Sequence, residues 1–411
     1  MIYSSFGNYK RIFNIFGYPR TVWFPKSEFR FLAFILFGFG LALLVTSPSV
    51  GVSPSVAMWV GFLFAAYAAV ANDSIQTLGT FIASNQDKKW WILWIFIGGV
   101  FLVTHSYSWF FSDFVGAFDA NGGPIGDGIA DGDVSHGRLL AKGFEEAPTS
   151  FHFLQIAAPI FLLILTRLKM PVSTTFILLT SFATSPKAVG GVLAKSMSGY
   201  ILAFFLGIIV FSAIAKLSRK YFVGDAKFGW TIAQWITTGT LWSVWLMQDA
   251  ANIAVYLPRS LSFLEFTGFA GAVFIGLGFL LYYKGGRIQK IVTEKSVVTD
   301  VRFATLVDFV YCIILFYFKL YSQVPMSTTW VFIGLLGGRE LGMAIMKSGD
   351  NSIGKSFKLL IKDFSFALIG LIISIAIAIG VNDQLSFDVM MRDLPKSFAE
   401  GFGKFFDKLG F

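Results

Sequence analysis

Residues 171–175 read PVSTT and residues 325–329 read PMSTT, so one unusual phrase is written twice in the chain. In both places a proline and three hydroxyl residues open a stretch that then becomes strongly apolar. A membrane-spanning helix is predominantly apolar along its whole length, so this start is atypical of one. Self-similarity of this kind indicates an internal structural repeat. We therefore expect a chain built from two related halves.

The surroundings of both phrases are apolar along almost the whole chain. The protein has 411 residues, of which 55% are hydrophobic and 14% charged, against about 25% charged in a typical soluble protein. Runs of about 18 or more apolar residues, long enough to cross a hydrocarbon layer about 30 Å thick, recur throughout. Since irregular backbone cannot face lipid with unpaired polar groups, the sequence predicts an all-α polytopic membrane protein. The predicted segments are 31–47, 54–71, 90–111, 151–168, 171–186, 191–215, 230–247, 263–283, 301–322, 325–346 and 360–381.

After the first segment, the remaining ten divide into two sets of five, each with one copy of the phrase. An odd number of spans places the second set upside down relative to the first, as in many secondary transporters. We predict two inverted repeats of about five transmembrane segments with broken or half helices, plus one extra N-terminal helix. The predicted domains are 1–50, a basic segment with the extra helix; 51–216, repeat 1 with an acidic external loop at 112–150; 217–228, a cytoplasmic linker; 229–382, inverted repeat 2; and 383–411, an amphipathic tail.

The net charge of +9 is distributed unevenly between alternate loops. Lys and Arg collect in the cytoplasmic loops of membrane proteins, so their positions predict a cytoplasmic N-terminus and an external C-terminus. We expect a multi-pass protein of the cell (cytoplasmic or inner) membrane that binds no nucleic acid. The basic stretch before residue 31 is interpreted as an interfacial amphipathic segment or a loose tail, and the phenylalanine spacing over 398–406 predicts an interfacial helix.

A second pair of phrases ends two long apolar runs. Residues 71–76 read ANDSIQ and residues 247–252 read MQDAAN, so each places a carboxylate beside a carboxamide, with another carboxamide three residues beyond. Positions three apart share one helix face. A carboxylate at membrane depth costs roughly 2.5–3.5 kcal/mol, which a bound cation would offset. Such oxygens suit a hard ion, so we predict a Na⁺ site formed by Asn72, Asp73, Gln76, Gln248, Asp249 and Asn252. The alternative is that both aspartates lie at the water interface.

The PVSTT and PMSTT phrases suit an anion. Proline at the first helical position presets the turn, and the next residues expose backbone N–H groups at the positive end of the helix dipole. Ser and Thr hydroxyls add neutral donors. We predict that a tetrahedral oxyanion is bound by Ser173, Thr174, Thr175, Ser327, Thr328 and Thr329. The alternative is routine N-capping at two helix starts.

These residues resemble the PiT family of inorganic phosphate transporters, of which the chain looks like a divergent member. The family shows Gly-Ala-Asn-Asp-x-Ala-Asn-Ala and Pro-x-Ser-Thr-Thr-His in each repeat, and the resemblance covers about 54–381. The matching positions are Ala71, Asn72, Asp73, Gly79 and Thr80 in one repeat, Asp249, Ala251 and Asn252 in the other, and a basic segment at 284–290. The resemblance implies that the Asn/Asp phrases hold Na⁺ and the Ser-Thr-Thr phrases hold phosphate. The departures are Gln76 and Gln248 in place of Asn, and Phe176 and Trp330 in place of His.

The resemblance implies a secondary active transporter that imports inorganic phosphate by symport with Na⁺ or H⁺. We expect no cofactor beyond that coupling ion; the expected partners are phosphate, Na⁺ and the lipid bilayer, with a homodimer left open. Sulfate or another tetrahedral oxyanion is an alternative substrate, and a passive anion channel is an alternative mechanism. An enzyme is not expected, because a nucleophilic Ser173 or Ser327 needs a nearby base and no His or Lys follows at suitable spacing.

Overall fold

The computed structural model describes residues 9–15, 18–24, 26–111, 132–141, 144–168, 170, 172–183, 186–283, 300–321, 327–347, 352–382 and 385–409. Two strands come first, β1 (Tyr9–Ile15) and β2 (Tyr18–Phe24). The next elements are α1 (Lys26–Thr46), α2 (Pro54–Ser84), α3 (Trp90–Phe110), α4 (Arg138–Ala141), α5 (Phe153–Arg167), the π-helix π1 (Thr175–Leu179) and α6 (Pro186–Tyr221). The second half comprises α7 (Phe228–Asp249), α8 (Ala251–Ala254), α9 (Phe263–Tyr282), α10 (Val301–Ile313), the π-helix π2 (Ile314–Tyr321), α11 (Thr328–Ile345), α12 (Ile353–Val381) and α13 (Phe387–Leu409).

Each of the eleven predicted segments contains one of these helices, which confirms an all-α polytopic membrane protein. In the described part of the chain, six helices are long and apolar enough to cross a membrane. Their spans are Phe29–Thr46, Pro54–Asp73, Trp90–Phe110, Val189–Ala215, Phe263–Tyr282 and Ile353–Val381. The other predicted segments form shorter or more polar helices, of which α11 is buried along most of its length.

Several helices begin where side chains satisfy their free N–H groups. Ser262 accepts a hydrogen bond from the Glu265 N–H, and Glu265 Oε2 accepts one in return from the Ser262 N–H at 2.8 Å, which starts α9. His152 and Gln155 make the same reciprocal pair at the start of α5. These pairs satisfy donors that the first helical turn leaves without partners.

The helices of the two halves pack reciprocally. α2 packs on α5 as α7 packs on α10, and α3 lies against α7 as α9 lies against α2. α3 and α9, the second long helices of their halves, pack on each other. α6 of the first half packs on α11 of the second, and α12 of the second half packs on π1 of the first. Helices of each predicted repeat therefore pack against helices of the other repeat in matching pairs. Two copies related by a pseudo-two-fold axis would pack in the same way.

Glycines bring α6 and α11 into backbone contact. Gly334, Gly338 and Gly342 recur every four residues on α11 and face α6. A Cβ atom on Gly334 would lie 2.5 Å from the Tyr200 carbonyl oxygen, and one on Gly342 would lie 2.9 Å from the Ile208 carbonyl oxygen. In membranes, small residues at this spacing allow helices to pack closely. The helix that opens with Ser-Thr-Thr in the second half is thus fixed to the last helix of the first half.

The two chain ends form a hairpin and a helix. The described part of the N-terminal stretch is not a loose tail: β1 and β2 form an antiparallel hairpin in which Tyr9 pairs with Phe24 and Ile15 with Tyr18. Aromatic and β-branched residues favour this extended backbone. The predicted C-terminal helix is present as α13, which packs along α6 with Phe405 buried and Phe406 exposed. A position of either end at the membrane interface stays a prediction.

Candidate ion and anion site

The two Asn/Asp phrases lie inside the protein. Asn72 and Asp73 occupy the middle of α2, which continues for about three more turns to Ser84. Asp249 ends α7, and Asn252 lies in the short α8 that follows. The two aspartates are only 3% and 4% exposed to solvent. Such burial among protein atoms disagrees with the alternative that they lie at the water interface.

In the first half, the Asn/Asp phrase contacts its own Ser-Thr-Thr phrase. The Asn72 amide nitrogen donates to Asp73 Oδ1 at 2.8 Å and to the Val172 carbonyl oxygen at 2.8 Å. It also lies 3.3 Å from Thr174 Oγ1, as a donor. Asn72 therefore links one carboxylate to the start of the broken segment that contains π1.

In the second half, the Asn/Asp phrase likewise contacts its own Ser-Thr-Thr phrase, and it also accepts a hydrogen bond from the first half. The Thr328 hydroxyl donates to Asp249 Oδ2, and the Asn252 amide lies 3.5 Å from Asp249 Oδ1 as a donor. The Thr175 hydroxyl of the first half donates to Asn252 Oδ1 at 3.2 Å. Members of the predicted ion and anion sets are thus hydrogen-bonded to one another within and across the halves. Thr329 is buried at the start of α11.

The two Ser-Thr-Thr phrases meet directly. Ser173 Oγ and Ser327 Oγ are 3.1 Å apart and hydrogen-bonded. Thr174 and Ser327 hold the N-cap positions of π1 and α11, yet neither side chain makes a capping hydrogen bond. The hydroxyls point at one another and at the aspartate phrases instead. Routine N-capping, the alternative interpretation, therefore does not describe these side chains.

Tyr311 of α10 lies close to both halves of the cluster. Its hydroxyl donates to the Thr328 carbonyl oxygen at 3.0 Å, and it is within electrostatic reach of both Asp249 and Asp73. The tyrosine is fully buried at 1% exposure. Sequence analysis missed this residue, because an aromatic residue in an apolar run is not distinguished from core packing without its contacts.

The structure describes the side chain of only one of the two glutamines that replace asparagine in the family pattern. The side chain of Gln76 lies outside the described residues, so its predicted role as an ion ligand stays a prediction. Gln248 is 1% exposed, and neither its Oε1 nor its Nε2 has a hydrogen-bond partner among the described residues. Buried amides are normally hydrogen-bonded, so an unpartnered one beside Asp249 is a position where a ligand oxygen or cation would be stabilised.

Phe176 and Trp330, which follow the two Ser-Thr-Thr phrases, face each other across the halves. Their ring centroids are 6.1 Å apart in an edge-to-face arrangement, and both are buried with Leu371 in one small cluster. These rings cannot donate a charge-assisted hydrogen bond as a histidine would. They instead pack the two halves together through apolar surface, directly after the Ser-Thr-Thr phrases.

Arg138 was also missed by sequence analysis, although it lies in the predicted acidic loop 112–150. Residues 112–131 of that loop lie outside the described part, but α4 packs on α8 beside the Asn/Asp cluster. The Arg138 guanidinium is within electrostatic reach of the Asp249 carboxylate, and burial lowers its pKa while that charge opposes the shift. The only hint in the sequence is that Arg138 is one of two basic residues, with Lys142, in a loop that is mainly acidic.

Hydrogen bonds hold this segment (residues 132–141) against the bundle. The Leu261 N–H donates to the Gly132 carbonyl oxygen at 3.1 Å, and the Ser108 hydroxyl donates to the Asp133 carbonyl oxygen at 2.8 Å. Gly132 has a φ of +84°, and a Cβ there would lie 2.7 Å from the Leu261 carbonyl oxygen, so only glycine fits. The segment therefore lies over the Asp249 side of the site as a packed element.

Asp133 and Arg259 also help to hold the segment 132–141 against the bundle. Burial raises the pKa of the Asp133 carboxyl, against the opposite influence of hydrogen bonds from the Gly137 and Ser135 N–H groups and of Arg259. Burial also lowers the pKa of Arg259 to about 10, and Asp133 opposes that change. Arg259 donates to the Phe144 carbonyl oxygen at 2.9 Å. It thereby ties the chain after the segment to the turn that follows α8.

No protein-family model, curated protein or solved structure significantly matches this chain.

Proposed function

We propose that the protein is a secondary active transporter that moves inorganic phosphate by symport with a cation. The observation that carries this proposal is the contact among the four repeated phrases. Ser173 Oγ and Ser327 Oγ of the two Ser-Thr-Thr starts are 3.1 Å apart, and the neighbouring threonines are hydrogen-bonded to the phrases of two buried aspartates. The same arrangement supports a resemblance to the PiT family, with the two halves as inverted repeats.

The cation would be held by the aspartate phrases. Asp73 and Asp249 carry negative charge that is costly to bury without a counter-charge. Carboxylate, amide and hydroxyl oxygens surround them, and the Asn252 Oδ1 is already oriented by Thr175. These are the ligands that a hard monovalent or divalent cation prefers. Na⁺ fits the chemistry of this oxygen-only set.

The anion would bind between the two Ser-Thr-Thr starts. Hydroxyls of both halves can donate to it, and the first N–H groups of the long helix α11 point to the same region. Arg138 supplies a positive charge on the Asp249 side. Phosphate is favoured over sulfate as the substrate because a protonated phosphate can donate a hydrogen bond to a carboxylate, whereas sulfate at neutral pH offers acceptors only.

Coupling follows from the contacts between the halves. Ser173 belongs to the first half and Ser327 to the second, so a rocking of one group of helices against the other separates the two hydroxyls and opens the anion site. An empty site leaves the aspartate charges uncompensated, which disfavours that movement. With cation and anion both bound, the charges cancel and the movement becomes accessible.

The test is uptake of radiolabelled phosphate into proteoliposomes with and without an inward Na⁺ gradient. We expect Na⁺-dependent uptake that Asp249→Asn lowers by about tenfold or more, which corresponds to about 1.4 kcal/mol. The control is Asp87→Asn, because Asp87 is exposed and its carboxylate pairs with Lys88. Unchanged uptake in Asp249→Asn would contradict the ion site. Displacement of phosphate by excess sulfate would indicate a general oxyanion carrier, and uptake without any gradient dependence would indicate a channel.

A further inference from the structure

Polar residues that the proposed site does not use form a column between α2, α7 and α10. Its centre is Asp308, in the middle of α10, with an exposure of 1%. The Thr80 hydroxyl of α2 donates to Asp308 Oδ1 at 2.5 Å, and the Thr238 hydroxyl of α7 donates to Oδ2 at 2.5 Å. Asp308 therefore joins three helices from both predicted repeats. In the sequence it is the one acidic residue of segment 301–322.

On one side, the column runs along α2 and α10 toward the paired aspartates. Thr77 lies one turn along α2 from Thr80, and its hydroxyl donates to the Asp73 carbonyl oxygen at 3.2 Å. Tyr311 lies one turn along α10 from Asp308 and is within electrostatic reach of both site carboxylates. Residues three or four apart on a helix face are separated by about 5–6 Å, a gap that one water molecule bridges.

On the other side, the column continues to a cavity. The Ser84 hydroxyl donates to the Thr80 carbonyl oxygen at 2.9 Å, Gln234 Nε2 donates to Ser84 Oγ, and Asn85 Nδ2 donates to Gln234 Oε1 at 2.9 Å. Ser84 and Asn85 border a cavity of about 340 Å³ at the ends of α2 and α10. Charged residues line the rest of it, among them Lys88, Asp225, Asp300 and Arg302. The distribution of basic residues predicts that this end is cytoplasmic.

A carboxylate is a costly way to join three helices inside a membrane. A charge at that depth costs roughly 2.5–3.5 kcal/mol, whereas a neutral amide makes similar hydrogen bonds. The ligands are also too few for a metal cation: in the described part they are two carboxylate and two hydroxyl oxygens, and hard cations take about six. A proton needs one oxygen, and both threonine hydroxyls can turn to accept a hydrogen bond from a protonated acid.

The titratable and charged groups around Asp308 include the two aspartates of the proposed site. Cys312 on the same helix is within its electrostatic reach. The other titratable or charged groups on the helices packed against it, in the described part, are Tyr311 and Arg302 on α10, Tyr67 and Asp73 on α2, Asp249 on α7, Tyr317 on π2, and the Arg339–Glu340 ion pair on α11. Of these, Asp73 and Asp249 are the carboxylates whose charge changes when the proposed site fills.

We propose that Asp308 binds a proton in transit between the Asp73–Asp249 site and the cytoplasmic cavity. An O–H bond of a protonated aspartate or phosphate at the site breaks, and an O–H bond forms on a carboxylate oxygen of Asp308. Asp308 returns to the carboxylate when the proton passes by way of Ser84 to a cavity water, which becomes hydronium. This inference rests on the proposed transport function and makes a proton part of the coupling, beside the cation at the paired aspartates.

The first test needs no transport. Infrared difference spectra of the purified protein, recorded between acidic and alkaline pH, report the C=O stretch of each protonated carboxylic acid. We expect one band to be absent in Asp308→Asn and retained in Asp393→Asn. Asp393 is the control because it lies on α13, outside the lining of the cavity, and its carboxylate pairs with the exposed Arg392. An unchanged spectrum in Asp308→Asn would overturn the proposal.

The second test measures proton movement with a pH-sensitive dye trapped in proteoliposomes under an imposed phosphate gradient. We expect Asp308→Asn to lower proton flux at least tenfold, with Asp393→Asn at the wild-type level. Equal proton flux in both variants would overturn the proposal. If wild-type protein moves no phosphate, the proposed function fails while the infrared result still decides the protonation of Asp308.

A third variant covers the case in which Asp308→Asn does not fold. Thr238→Val removes one hydroxyl donor and keeps the carboxylate. The hydrogen bond stabilises the charged form, so its loss should move the titration of the Asp308 band to higher pH. If no carboxylic-acid band has a higher titration midpoint in Thr238→Val than in wild type, the proposal is overturned.

Discussion

At the scale of single residues, the two aspartates of the site differ in their surroundings. Asp73 takes a hydrogen bond from Asn72, its neighbour on the same helix. Asp249 takes one from Thr328 of another helix and is within electrostatic reach of Arg138. Movement of α11 or of the segment 132–141 therefore changes the environment of Asp249 first. This asymmetry makes Asp249 the more informative position for substitution.

The unpartnered amide of Gln248 leads to a prediction about stability and ion binding. Replacing Gln248 by Met keeps the shape and removes a buried amide that lacks partners, which should stabilise the ligand-free protein by about 1–3 kcal/mol. The same change should weaken the thermal stabilisation by Na⁺, because a ligand oxygen is lost. Unfolding temperatures in detergent, with and without Na⁺, measure both effects.

Gln234→Met is the control for Gln248→Met. Gln234 is equally buried, but its amide is paired with Asn85 and Ser84, so its replacement should destabilise. If Gln248→Met also lowers the unfolding temperature, the amide has a structural partner and the ion-ligand role is wrong.

His136 leads to a prediction about pH. Burial, and then the charges of His105 and Arg138, hold its pKa well below the usual value. The folded protein thus keeps His136 neutral while the unfolded chain binds a proton at about pH 6.5. Below that pH the unfolded state binds more protons, so stability is present at neutral pH and is lost as the pH falls. Unfolding temperatures between about pH 5 and pH 7.5 should show this decline.

The decline should be smaller in His136→Asn, because asparagine does not titrate and tolerates the positive φ of 53° at this position. His152→Asn is the control: His152 caps α5, a role that asparagine fills. An identical pH slope in wild type and His136→Asn would show that this histidine does not control the docking of the segment.

At the scale of elements, the contact between α6 and α11 positions the anion site. Gly338 is closest to the partner: a Cβ there would overlap the Phe204 carbonyl oxygen. We expect Gly338→Ala to push the helices apart and to destabilise the protein by about 1–3 kcal/mol. Because the shift moves the start of α11, phosphate affinity should fall as well. Thermal unfolding in detergent and phosphate uptake measure the two effects.

Gly99→Ala is the matched control on α3. A Cβ at Gly99 meets nothing within 4 Å, so only helix propensity changes, by up to about 1 kcal/mol in favour of alanine. Equal unfolding temperatures for the two variants would mean that the α6–α11 contact does not require glycine.

At the scale of the whole molecule, reciprocal packing unites the two halves, and loop charges predict their orientation in the membrane. The prediction is that Glu145 is external and Asp87 cytoplasmic; both side chains are exposed. With Cys312 replaced by Ala, single cysteines at these positions should react differently with a membrane-impermeant maleimide. The Glu145→Cys protein should be labelled in intact cells, and the Asp87→Cys protein only after permeabilisation. Labelling in the reverse order would contradict the predicted orientation and would place the cavity beside Ser84 on the external side.

Much of the site could be predicted from the sequence because its residues are written twice. Asp73, Asp249 and the two Ser-Thr-Thr phrases are recognised by their repetition, and the structure brings all of them together. Arg138 and Asp308 could not be found in this way. Neither residue belongs to a repeated phrase. The position of Arg138 depends on how its loop folds back onto the bundle, and that of Asp308 depends on how three helices align.

The sequence by itself determined the class of protein, because long apolar runs must become helices in lipid. It also determined the identity of the repeated residues, because both copies of each phrase are recognisable in the sequence. Only the tertiary structure decided which hydroxyls meet, that the segment 132–141 packs over Asp249, and that Thr80, Thr238 and Asp308 share one interface. The physical reason is that these contacts join residues distant in sequence. They depend on the rotation and register of packed helices, which apolar patterning leaves undetermined.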